Sequence, residues 1–182
     1  MLRTKDILDE KDPRVRAKNT DVDFPLNDEY KDIIPEMLKH LRYSQIEKLS
    51  KKYDLRPGMG LAAPQLGINK NFFVVCYEVK DWVFDDYILI NPKVISYSEE
   101  MIYAGEGEGC LSVNREVEGI VPRHARITVE AYDLDGNKRK YRVREDLAIA
   151  FQHELDHLNG ILFVDYIDPK DPYKNADLYR EI

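Results

Sequence analysis

Apolar residues change their period along the chain, and each change marks a predicted element. From Ile33 to Leu49, the residues Ile33, Ile34, Met37, Leu38, Leu41, Ile46 and Leu49 recur at roughly helical spacing, after the start signal Asn27-Asp28. One or two amphipathic helices are predicted there, begun or interrupted near Pro35. Asn71 to Tyr77 (Phe72, Phe73, Val74, Val75) and Tyr87 to Asn91 (Ile88, Leu89, Ile90) are β-branched and aromatic runs between turn formers, and read as strands. From Arg126 to Leu134, Ile127, Val129 and Ala131 alternate with Thr128, Glu130 and Tyr132; Asp135-Gly136 then leads into a run from Lys138 to Val143, which predicts a hairpin. The first 25 residues are charged, carry Pro13 and Pro25, and read as an extended arm lying on the body. The stretch from Arg56-Pro57-Gly58-Met59-Gly60 to Pro64-Gln65-Leu66-Gly67 reads as irregular backbone passing close to something.

A last helix is predicted from about Glu145 to Leu158, with Gly160 placed to end it in the left-handed conformation. It has two faces. Leu147, Phe151, Leu155 and Leu158 form one apolar stripe, and Ile149, His153 and His157 form another; at 100° per residue, Phe151 and His153 point about 200° apart. Such a helix needs cover on both sides and should be central, between layers of sheet. Helices, then strands, then one late helix argue an α+β fold.

Length and composition narrow the function. With 182 residues and 43% apolar content the chain fits one domain, 1–182, with a core of its own. The balance is acidic, net −7 from 34 acidic and 27 basic residues, and no dense Lys/Arg block stands out, so no direct nucleic-acid ligand is expected. Two cysteines, Cys76 and Cys110, are too few for a secreted disulfide framework. No apolar signal core or membrane span is visible either, so a soluble cytoplasmic protein is expected.

The sharpest chemistry lies in Gln152-His153-Glu154-Leu155-Asp156-His157. On a helix, His153 and His157 share a face and can supply two imidazoles to one divalent ion, with Glu154 between them as a base. A third ligand is required, from Cys76, Cys110, His40, His124 or a carboxylate. Cys76 lies inside an apolar strand, where a small buried thiol is the ordinary explanation. Cys110 lies in Gly105-Glu106-Gly107-Glu108-Gly109-Cys110-Leu111-Ser112, whose glycines let backbone approach a ligand, and is the favoured choice. Three protein ligands would leave a fourth position open for water.

Three motifs in order, Gly58-Met59-Gly60-Leu61-Ala62-Ala63-Pro64-Gln65, Glu108-Gly109-Cys110-Leu111-Ser112 and Gln152-His153-Glu154-Leu155-Asp156-His157-Leu158-Asn159-Gly160, resemble those of the peptide deformylases. The resemblance implies antiparallel sheets around a central metal-bearing helix. It also implies ferrous iron (Fe2+), replaceable by Zn2+, Ni2+ or Co2+, and removal of the formyl group from the initiator methionine of new polypeptides, releasing formate. Metal-bound water would attack the formyl carbon with Glu154 as general base and then acid, and Gln65 and the Leu111 N–H would serve as oxyanion donors. Gly58, Met59, Gly60, Ile149 and Ala150 would shape a methionine pocket, and extended peptide would pair near Gly60 and Gly107. Glu108 would pair with Arg123 and fix the Cys110 loop.

The tail from Asp165 carries five acidic and three basic residues. It is unlike the long basic C-terminal helix of many Gram-negative deformylases and more similar to the Gram-positive-type subgroup. Formyl-Met nascent peptides are the implied partners, with transient ribosome contact left open. Two rivals remain. A thermolysin-like peptidase would need a downstream glutamate, and only Glu181 follows; a non-catalytic metal module would need His124 or Cys76 to close the shell.

Overall fold

The Asn27 side chain accepts the Tyr30 N–H and starts helix α1, Asp28–Gln45, in a computed structural model that describes residues 1–182. Pro35 neither begins nor breaks α1, which runs through it and buries Ile34, Met37, Leu38, His40, Leu41 and Ser44 along one face. A short α2, Glu47–Tyr53, follows and ends at Asp54 in the left-handed conformation (φ 53°).

Five strands form the main antiparallel sheet: β1 (Gly60–Ala62), β2 (Phe72–Lys80), β3 (Val83–Tyr97), β6 (Arg126–Tyr132) and β7 (Lys138–Arg144), ordered β1-β2-β3-β6-β7. β2 is apolar without alternation because both its faces are covered. Phe72, Val74 and Cys76 pack with α1, whereas Phe73 and Val75 join Phe151 and Leu158 of the last helix, α3 (Glu145–Leu158). A second small sheet holds β4 (Met101–Tyr103), β5 (Arg123–His124) and β8 (Arg180–Glu181). Its β4–β8 pair is parallel, a departure from wholly antiparallel sheets.

Helix α3 lies between the two sheets as its two stripes require. Phe151 meets Phe73 edge-on at 5.7 Å, while Ile149 on the opposite side packs with Ile102 and Ala125. Gly160 (φ 71°) follows the helix end, and Ile161 N–H donates to the Asp156 carbonyl at 2.9 Å.

Several boundaries differ from the sequence reading. The predicted strand ending at Asn91 continues to Tyr97; Pro92 falls at a register shift between Ile90 and Lys93, where a missing N–H breaks no ladder bond. The stretch read as irregular at Gly60–Ala62 is the edge strand β1, followed by a 3-10 turn at Ala63–Leu66. The N-terminal arm contains 3-10 turns at Thr4–Asp6 and Pro13–Arg16 and buries Ile7, Val15 and Val22. Finally, β7 has five cations in seven residues, a dense basic block that the net acidic balance conceals.

Candidate metal centre and cleft

Helix α3 presents His153 and His157 one turn apart, and the loop after β4 brings Cys110 to them. The three ligand atoms lie within 4.8 Å of one another and all three residues are buried or nearly so, with Cys110 Sγ 3.3 Å from His157 Nε2. A tetrahedral ion with metal–sulfur bonds of about 2.3 Å and metal–nitrogen bonds of about 2.0–2.1 Å holds its donors about 3.5 Å apart, so the cluster suits a single divalent ion. His153 Nδ1 contacts Glu108 Oε2 at 2.8 Å, which directs Nε2 inward.

A buried ion network supports that ring. Arg123 donates to Glu108 through Nε (2.7 Å) and Nη2 (2.9 Å), and through Nη1 to Asp156 (2.5 Å). Tyr166 donates its hydroxyl to the other Asp156 oxygen at 3.0 Å and places its ring 5.0 Å from the Arg123 guanidinium carbon. Burial works against the Glu108 charge, but the bonds from His153 and Arg123 prevail and bring its pKa down to about 2. Burial likewise opposes charging of His153, yet contacts with Cys110 and Glu108 hold its pKa well above that of a free imidazole in the metal-free state. His157 goes the other way, lowered well below by burial first and then by neighbouring His153 and Arg123.

Glu154 lines a cleft of about 340 Å³ together with Cys110 and His153. It is 3% exposed, its Oε2 has no hydrogen-bond partner, and burial lifts its pKa to about 7. A Cβ on Gly60 would lie 2.7 Å from Glu154 Cδ, so glycine is what lets β1 pass over this carboxylate. Across the cleft the buried Gln65 accepts the Ala62 N–H (2.9 Å) and turns its amide towards Ser112 Oγ (3.1 Å) and Cys110 Sγ (3.7 Å). The Leu111 N–H has no acceptor within the chain.

Gly58, Met59, Gly60, Gly107, Ile149 and Ala150 all line this cleft. β1 is an edge strand, so one side of its backbone is unpaired by the sheet. Of the glycines around Cys110, Gly107 needs its positive φ of 79°, while a Cβ on Gly109 would meet nothing within 4 Å. The alternative ligands lie elsewhere. His124 Nδ1 contacts the Ser98 carbonyl at 2.7 Å, and Cys76 is in the α1 core with its thiol pKa raised to about 12, chiefly by burial. Glu181 accepts the Tyr103 hydroxyl at 3.1 Å, and His40 contacts the Leu2 carbonyl at 3.2 Å.

Four supports escape a reading of the sequence. Arg56 donates to the carbonyls of Cys110 (2.9 Å) and Val113 (3.1 Å), tying the Gly58 loop to the cysteine loop. Ser112 receives Gln65, and Asp156 and Tyr166 complete the Arg123 network. The N-terminal arm also clamps both loops, through Leu8 N–H to the Gln65 carbonyl (2.8 Å) and Glu10 N–H to the Ser112 carbonyl (2.7 Å). Asp156, inside the histidine motif, and Ser112, inside the cysteine motif, were the two with a positional signal.

Comparison with known proteins gives one consistent result. A family profile described as polypeptide deformylase matches residues 4–173. A peptide deformylase of Macrococcus caseolyticus is 49% identical over 175 residues, covering 96% of this chain and 95% of that protein. Peptide deformylase 2 of Bacillus anthracis is 45% identical, covering 97% and 96%. Among solved structures, a probable peptide deformylase from Synechococcus phage S-SSM7 superposes with a TM-score of 0.72 at 35% identity, covering 88% of this chain and 98% of that one.

Proposed function

The chain belongs to the polypeptide deformylase family, metal-dependent amide hydrolases that remove the formyl group from newly made polypeptides, and from that premise we propose how its residues divide the work. The observation that carries the assignment is the convergence of Cys110, His153 and His157 beside a buried, unpartnered Glu154 oxygen.

We assign Cys110 Sγ and the two histidine Nε2 atoms as the ligands of one divalent ion. When bound, the ion supplies Lewis acidity, lowering the pKa of water and polarising the formyl carbonyl. One thiolate and two imidazoles suit several first-row ions. We take Fe2+ as the resident one, with Zn2+, Ni2+ or Co2+ able to replace it.

Glu154 is the general base and acid. Its carboxylate sits in the cleft with a pKa of about 7, near working pH, so it can take a proton from the attacking water and return it to the leaving amine at Oε2. The Gln65 side-chain N–H and the Leu111 backbone N–H stabilise the oxyanion that forms on the formyl carbon. Gln65 is held in place for this by the Ala62 N–H and Ser112.

Gly58, Met59, Ile149 and Ala150 receive the methionine side chain. The peptide beyond it lies extended along the open β1 edge at Gly60 and beside Gly107, adding a strand to the sheet. Glu108 and Arg123 act through His153 by holding its ring. The substrates are formyl-Met nascent chains, which places the reaction in the bacterial cytoplasm with transient ribosome contact; no helix is long and apolar enough to cross a membrane.

The test is metal replacement. Chelation should abolish formate release, and anaerobic Fe2+, Ni2+ or Co2+ should restore it. Cys110→Ser should keep its fold but lose affinity for each ion. Full activity of metal-free protein would overturn the assignment.

A further inference from the structure

Lys138, Arg139, Lys140, Arg142 and Arg144 concentrate positive charge on β7 in a chain of net charge −7. β7 is an edge of the main sheet. Tyr141 and Val143 turn inward to the α3 core, so Lys138, Lys140, Arg142 and Arg144 project from the opposite face, all exposed. Alternate residues on a strand recur about every 6.8 Å, so these four make a cationic line about 20 Å long.

The charge continues inward from the edge. Arg126 pairs in register with Arg144, Thr128 with Arg142, and Ser96 with Thr128. These residues with Ser98 line a shallow concavity of about 680 Å³, and Glu99 and Glu100 sit at one end. Glu100 takes Arg126 (2.7 Å) and Arg180 (2.9 Å), Glu130 takes Lys138 (3.3 Å) and Lys140 (3.5 Å), and Glu99 has no cation partner. Arg142 and Arg144 reach no carboxylate, and the Ser96 and Thr128 hydroxyls bond to nothing in the chain.

Charges on an edge strand also discourage sheet-to-sheet addition. That need is met by lysines on the edge itself. It does not call for two unpaired arginines, Arg142 and Arg144, beside free hydroxyls on the next two strands, the donor set that suits phosphate oxygens.

We propose that the outer face of β7, β6 and β3 docks the phosphodiester backbone of RNA, holding the enzyme on the RNA-rich surface where its substrates are made. The choice of RNA rests on the reading above that those substrates are nascent chains. The contact is electrostatic and carries no base specificity.

The experiment measures binding of the full chain, metal-loaded, to purified bacterial ribosomes, to protein-free ribosomal RNA and to anionic phospholipid vesicles over a salt series. It compares the parent with Arg142→Glu/Arg144→Glu, the milder Arg142→Gln/Arg144→Gln, and Lys51→Glu/Lys52→Glu on α2 as a charge control. The parent should bind the ribosomes and the RNA. The Glu pair should bind at least about 10-fold more weakly near 100 mM salt, and the Gln pair should lower the salt slope by about 1.4–1.8. Both pairs should release formate from a short formyl-Met peptide as the parent does, and the α2 control should bind as the parent does. Equal binding by parent and Glu pair, absence of RNA binding by the parent, or binding only to anionic phospholipid vesicles would overturn the proposal. Failure of the parent to release formate would instead overturn the catalytic reading, whatever the RNA result.

Discussion

Replacing Arg123 by alanine should destabilise the fold and loosen the metal together, because one buried guanidinium serves two carboxylates. Arg123 is 3% exposed and Glu108 5%, and the change removes contacts of 2.7, 2.9 and 2.5 Å. Removing one member of a buried pair costs about 3–5 kcal/mol, since the other charge stays behind. The direction agrees: against burial, His153 and Arg123 together hold the Glu108 pKa at about 2, so removing Arg123 takes away part of what keeps that carboxylate charged. For a chain of this size each kcal/mol moves Tm by about 2–4 °C, so the metal-stripped variant should melt about 6–20 °C lower. Loss of the support behind a metal-binding histidine should also weaken metal affinity by about 10- to 100-fold. Melting curves on metal-free protein separate the first effect from the second, which a chelator-competition titration reads. Arg115→Ala is the control; its pair with Glu10 spans 2.8 Å but the arginine is 55% exposed and screened by solvent, so little change in Tm is expected. A Tm within about 2 °C of the parent with unchanged metal affinity would refute the reasoning.

Further outcomes follow from the same geometry. Gly60→Ala places a methyl 2.7 Å from Glu154 Cδ, so kcat should fall by about 100-fold or more with metal content unchanged, read by formate release beside elemental analysis. Gln65→Ala should cost about 100- to 1,000-fold in kcat with little change in KM, the signature of a donor that acts on the transition state. Glu108 has a depressed folded pKa, so its contribution is complete above about 4.5 and is lost as pH falls towards about 2; the parent should lose stability across that window, and Arg123→Ala should flatten the loss in acid melts.

Much of the site was legible because its chemistry is local. His153, Glu154 and His157 share one helical turn, and the period of α3 gave both its limits and its position between sheets. The Cys110 loop and the Gln65 turn were visible as motifs. What remained hidden depends on contacts across the fold: Arg56 on the Cys110 carbonyl, Tyr166 on Asp156, and the arm on both loops have no periodic signature. The short strands β4, β5 and β8 were missed for the same reason, since two or three residues set no period. Pro35 misled on a boundary, since it lies inside a helix held by its packed face, and the strand read as ending at Asn91 runs on through a bulge at Pro92. The basic face of β7 was lost to averaging, because net charge says nothing about where the charges lie.

The most direct test is formate release from a formyl-Met peptide by anaerobically prepared, Fe2+- or Ni2+-loaded protein beside Glu154→Ala. The account predicts release by the parent and near-complete loss in a variant that keeps its fold and its metal. A folded, metal-filled parent that releases no formate, or a Glu154→Ala variant that releases it at the parent's rate, would contradict the account.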